Sequence, residues 1–89
     1  MSSLAPQQIE PRAQQVDCTD TQLVVTLTDG RVLSVPLVWF PRLPAASPDV
    51  RRRYELLGDG QGIHWPDADE DISVQGLLAG KSSLEKNTR

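Results

Sequence analysis

Two short runs of alternating apolar residues flank an Asp-Gly pair, and this pattern constrains the chain more than any other. Leu23-Val24-Val25-Thr26-Leu27-Thr28 precedes Asp29-Gly30, and Arg31-Val32-Leu33-Ser34-Val35 follows it. β-branched residues in alternation around Asp-Gly predict a β-hairpin. Its register can be argued from the side chains. A two-residue turn at Asp29-Gly30 would set Leu27 opposite Val32 but Val25 opposite Ser34, which mixes the faces. A three-residue loop of Thr28, Asp29 and Gly30, with Gly30 left-handed, sets Leu23 against Val35 and Val25 against Leu33. That register gathers Leu23, Val25, Leu27, Leu33 and Val35 on one side, and a buried face is what fixes register. The bulged loop is the expectation.

The rest of the chain must complete a small core around this hairpin. With 89 residues there is room for one domain, and a chain of this size buries only about 60% of its unfolded surface. Residues 13–19 place Val16 and Cys18 at strand spacing, with Asp20-Thr21 able to turn into the hairpin, so a three-stranded meander is expected. Pro36, Pro41, Pro44 and Pro48 then forbid a long helix or central strand. The segment between them is expected to cross the open side of the sheet irregularly, covering it with Trp39, Phe40 and Leu43.

Ser47-Pro48-Asp49 has the composition of a helix start, and Val50, Tyr54 and Leu57 recur at i, i+4 and i+7 up to a stop at Gly58. Ile63-His64-Trp65 is expected as a short fourth strand, and residues 67–71 as an acidic loop. A last short helix over residues 72–80 would have Ser73 as cap, an Ile72–Leu77 staple and Gly80 as stop. The fold class expected is therefore α+β: one small antiparallel sheet, a three-stranded meander plus a short fourth strand, with two short helices. Residues 1–12 are expected as a flexible arm, 13–80 as the single domain and 81–89 as a flexible tail.

Charge narrows the function classes. The chain carries a net charge of −3, which argues against nucleic acid, because phosphate binding needs basic side chains to displace counterions. Five arginines stand against Asp49 alone from Arg31 to Arg53, whereas six acids and no Lys or Arg occupy the stretch from Glu55 to Asp71. Such halves could pair within the chain or between two copies, or remain a solvated surface. No apolar run approaches the ~20 residues of a membrane span, and the polar start argues for a cytoplasmic location. A single cysteine cannot form an internal disulfide or, with the single His64, a zinc cluster. Cys18 is expected as a small buried hydrophobe.

The stretch Gly60-Gln61-Gly62-Ile63-His64-Trp65-Pro66-Asp67-Ala68-Asp69-Glu70-Asp71-Ile72-Ser73-Val74-Gln75-Gly76-Leu77-Leu78 resembles the closing motif of a bacterial family, domain-of-unknown-function family 2442. Asp29-Gly30-Arg31 and Pro41-Arg42-Leu43 followed by a short helix stand in that family's order, so the resemblance spans about residues 13–80. It implies a small α+β protein. Some members are fused to helix-turn-helix domains, and some are similar to partners encoded beside small toxins. The family has no established catalytic residues, so the resemblance implies none here.

His64 with Asp67, Asp69 and Asp71 is the one cluster of residue types suited to a ligand. Asp67-x-Asp69-x-Asp71 repeats the first three ligand spacings of a calcium loop, but Ile72 stands where the loop's glycine belongs and Leu78 where its bidentate acid belongs. No metal site is expected. His64 beside a carboxylate could move a proton, yet no nucleophile elbow and no phosphate loop accompany it: Gly58, Gly60 and Gly62 lack the following Lys-Ser/Thr. The expectation is no enzyme and no cofactor. Trp39, Phe40, Arg42 and Trp65 have the composition of an interface hot spot. A protein-interaction module is expected, self-associating or joined to another small protein in an antitoxin-like role. The alternative is a small-molecule or metal sensor using His64 and the 67–71 loop.

Overall fold

The computed structural model describes residues 11–82. The expected arm and tail lie outside them, apart from the residues adjoining each end. Three strands form first: β1 (Ala13–Cys18), β2 (Gln22–Leu27) and β3 (Val32–Pro36), in sheet order β1-β2-β3. Leu23 lies opposite Val35 and Val25 opposite Leu33, the register of the three-residue loop. The Leu27 and Gly30 amides close that loop by donating to the carbonyls of Arg31 and Leu27, at 2.8 and 3.0 Å. Gly30 has φ +95° and open space around it. Gly30→Ala should therefore cost about 1–2 kcal/mol, from backbone conformation alone. Denaturant unfolding measures this, and an unchanged midpoint would contradict the bulged loop.

β1 pairs Val16 with Val25 and Cys18 with Leu23, but its register shifts between Ala13 and Gln15. The bulge explains how Ala13 and Val16, three residues apart, both reach the core. Cys18 is half-buried on the same side. Burial raises its thiol from an ordinary 9.0 to about 11, with Asp17 adding to the shift and the Arg51 guanidinium partly offsetting it. The thiol therefore stays protonated at neutral pH, as a packing group rather than a nucleophile.

The proline-rich crossing is a chain of tight turns. Phe40, Leu43 and Ala46 each donate to the carbonyl three residues earlier, beginning with a 3-10 turn at Leu37–Trp39. A three-residue period sends Leu37, Phe40 and Leu43 into the core, while Trp39 packs half-buried at its margin.

Helix α1 (Pro48–Arg52) starts as expected, with the Ser47 hydroxyl accepting from the Val50 amide at 3.2 Å. It does not run on to Leu57. Arg53 leaves helical geometry, the Trp65 indole takes the Arg51 carbonyl at 3.0 Å, and the Tyr54 hydroxyl accepts from the Val16 amide at 3.2 Å. Glu55–Leu57 is instead strand β4. Tertiary pairing overrides a weak helical period here. Arg51 ties the short helix to the crossing by donating to the carbonyls of Leu43 and Ala46.

The fourth strand does not extend the meander. β5 (Gly62–Trp65) is the centre of a second three-stranded antiparallel sheet, in order β4-β5-β6, whose last member β6 (Glu70–Ser73) occupies much of the expected acidic loop. In β6 Glu70 and Ile72 alternate inward, so the strand is amphipathic despite its acids. Helix α2 (Val74–Leu78) follows at once. The Ser73 hydroxyl accepts from the Gly76 amide at 2.8 Å, Ile72 and Leu77 are both buried around that cap, and Gly80 at φ +80° ends the helix. One core unites the two sheets, from Leu23, Val25 and Leu27 to Ile63, Trp65 and Ile72.

Candidate interaction surface

The second sheet sets three ionisable residues in a row. Glu55 on β4 lies opposite His64 on β5, which lies opposite Asp71 on β6. Directly paired residues share a face, so the row stands on the outer side of the sheet, while Ile63, Trp65 and Ile72 face the core. His64 Nδ1 is hydrogen-bonded to the Asp71 carboxylate. The other two acids of the expected ligand cluster turn elsewhere. Asp67 pairs with Arg53 at 3.2 Å, and Asp69 with Arg42 at 3.4 Å, while the Arg42 guanidinium also donates to the Asp69 carbonyl. The fold thus keeps His64 with Asp71 and gives Asp67 and Asp69 to separate arginines. Among the described residues no group of three or more His, Cys, Asp or Glu side chains could hold a metal ion.

These contacts also account for the charge asymmetry. The basic and acidic halves meet within one chain, through Arg42–Asp69 and Arg53–Asp67. Both pairs are exposed, and such pairs are worth about 0–1 kcal/mol each, so they orient loops more than they stabilise the fold. In the hairpin, the Asp29 carboxyl is held below its usual range chiefly by the backbone amide of Arg31 at 3.1 Å.

The four aromatic and arginine positions separate by depth. Trp65 is 0% exposed and Phe40 4% exposed, so both are core residues. Trp39 is half-buried and Arg42 exposed. Trp65 packs against Tyr54 with ring centres 6.4 Å apart and planes at 50°. Direct contact with a partner is thus open to Trp39 and Arg42 and closed to the other two.

Residue-level reasoning missed β4. All three of its residues are exposed, including Leu56 at 38% and Leu57 at 46%, and it forms an outer edge of its sheet. The available signal was Gly58-Asp59-Gly60, a turn composition between the two short apolar runs Leu56-Leu57 and Ile63-His64-Trp65. The structure makes it one: Gly58, Asp59 and Gly60 all have positive φ, and Gly62 pairs with Leu57.

Among the described residues, two small antiparallel sheets over one core, with two five-residue helices, define a compact α+β domain in which β4 is an edge strand. The chain belongs to DUF2442, a family of proteins of unknown function, whose model matches residues 13–83. It is similar to a protein of unknown function from Rhodospirillum rubrum solved by crystallography, at 32% identity and a TM-score of 0.75, over 91% of this chain and 100% of that one. An uncharacterised protein from Chromobacterium violaceum, solved by NMR in solution, shares the fold with a TM-score of 0.68 and 24% identity, over 81% of this chain and 68% of that one. No curated protein matches the chain. No helix among the described residues is long and apolar enough to cross a membrane.

Proposed function

We propose that this chain is a non-enzymatic protein–protein interaction module, acting with a second copy or with another small protein, in the concrete form of an antitoxin-like partner. The observation that carries the proposal is the exposed edge strand β4, where Leu56 and Leu57 are exposed and the outer backbone has no strand partner among the described residues. Sheet edges of this kind are templates for another chain. Trp39, half-buried next to the exposed Val38, supplies a second apolar contact, and Arg42 is the exposed cation nearby in sequence. Asp67 and Asp69 pair with arginines and His64 with Asp71, which favours the interaction reading over ligand sensing.

Sedimentation velocity tests the proposal on the pure chain and on the chain co-expressed with the product of the adjacent gene. A dimer or a stoichiometric complex is expected. Trp39→Ala should weaken that assembly more than it lowers the melting temperature, because the ring is only partly in the core. A strictly monomeric chain with no complex contradicts the module. Equal loss of assembly and stability in Trp39→Ala contradicts the role of that ring.

A further inference from the structure

We propose that β4 is the docking strand for an extended cationic segment of a partner protein, which joins the second sheet by antiparallel strand pairing. The inference rests on the interaction reading above and adds to it the surface and the chemistry of the partner. Position comes first. In the order β4-β5-β6, β4 has a neighbour on one side only. Among the described residues, no backbone hydrogen bond outside the sheet involves Glu55, Leu56 or Leu57.

The meander's edges are less available. β1 has the Tyr54 hydroxyl on its Val16 amide, and Gly60 lies against the backbone of Ala13. β3 ends at Pro36, which has no N–H to offer. Among the described residues β4 has no such cover.

Charge then selects the partner. Most acids in the stretch 55–71 have partners of their own: Asp59 pairs with Arg12 at 3.8 Å, Asp67 with Arg53, Asp69 with Arg42, and Asp71 with His64. The Glu55 side chain has neither ion pair nor hydrogen bond among the described residues. It is an uncompensated carboxylate on an open edge, in the same row as Asp71. A strand added alongside β4 would bring a side chain directly opposite Glu55, and Lys or Arg there gains a cross-strand ion pair. An apolar side chain opposite Leu56, which shares the core-facing side with Ile63, would cover that leucine, while Leu57 lies on the outer side with Glu55. Strand addition of this kind draws affinity from the backbone and specificity from alternate side chains.

The test titrates the isotope-labelled full chain with two synthetic peptides of equal length, one alternating Leu with Lys and one alternating Leu with Glu, while backbone amide shifts are followed. Shifts concentrated at Glu55, Leu56 and Leu57 and their β5 partners are expected with the Lys peptide. Binding of the Glu peptide should be about two- to fivefold weaker, given the worth of one cross-strand charge pair. Glu55→Lys, an exposed substitution, should reverse the preference. Equal response to both peptides, or shifts away from β4, overturns the inference. Concentration-dependent shifts at β4 without peptide also overturn it, since the occupant would then be a second copy. If the chain forms a complex by sedimentation while its β4 amides stay unchanged, the docking strand is wrong and the interaction module stands. With no assembly of any kind, both fall.

Discussion

Trp65→Ala is expected to remove about 3–5 kcal/mol of stability, the range for truncating a buried large aromatic residue. Natural domains of modest size are stable by only about 5–15 kcal/mol, so this variant should lie at the margin of folding. The effect has two origins. The indole is fully buried between the two sheets' core residues, so its loss leaves a cavity that short strands on a thin core cannot fill. Its N–H also holds the Arg51 carbonyl at 3.0 Å, the contact that accompanies the end of α1. Trp65→Phe separates the two, because it keeps most of the ring volume and loses the hydrogen bond; it should cost about 1–3 kcal/mol, the penalty for a buried polar group left unpaired. Denaturant unfolding followed by far-ultraviolet circular dichroism measures both, and a loss under 1 kcal/mol for Trp65→Ala would contradict the placement of this ring.

Gly60→Ala is the second large effect. Gly60 has φ +100°, and a Cβ built there would lie 2.4 Å from the carbonyl oxygen of Ala13 and 3.0 Å from its nitrogen. The turn between β4 and β5 is thus pressed against the first residue of β1, which is a direct backbone contact between the two sheets. The conformational penalty of about 1–2 kcal/mol adds to an overpacking cost of about 1–3 kcal/mol. Gly30→Ala is the internal control. Its φ is nearly the same at +95°, but nothing lies within 4 Å of the added methyl. Gly60→Ala should therefore destabilise by about 2–5 kcal/mol against about 1–2 kcal/mol for Gly30→Ala. Equal costs in chemical denaturation would mean that the sheets do not meet at this point.

The contrast between these glycines also marks what could be seen in the residues beforehand. The first hairpin was legible to its register, because only the three-residue loop places Leu23, Val25, Leu27, Leu33 and Val35 together. Both helix caps were legible too, since Ser47 and Ser73 act through local geometry. The second sheet was not. Tyr54 and Leu57 fall at helical spacing from Val50, and only long-range contacts decide the matter: Tyr54 to Val16, Trp65 to Arg51, and β4 to β5. In β6 the run of acids masked an alternation in which Glu70 turns inward.

The candidate site was legible in kind more than in place. Asp67, Asp69 and Asp71 share a short stretch of chain, yet strand β6 and the surrounding arginines send them to different partners. Trp65 and Phe40 have hot-spot chemistry, but a core this thin needs both rings inside. The edge at β4 was invisible because it depends on a sheet order that no local pattern encodes.

Affinity purification from the native host at near-endogenous level, with mass spectrometry of the eluate, tests the central claim that this domain binds protein through the edge of its second sheet. The wild-type chain and a Glu55→Lys/Leu57→Lys variant would be compared, both substitutions being at exposed positions. A near-stoichiometric partner retained by the wild type and lost by the variant is the predicted result. The same eluate from both chains, whether a shared partner or the chain alone, would contradict it.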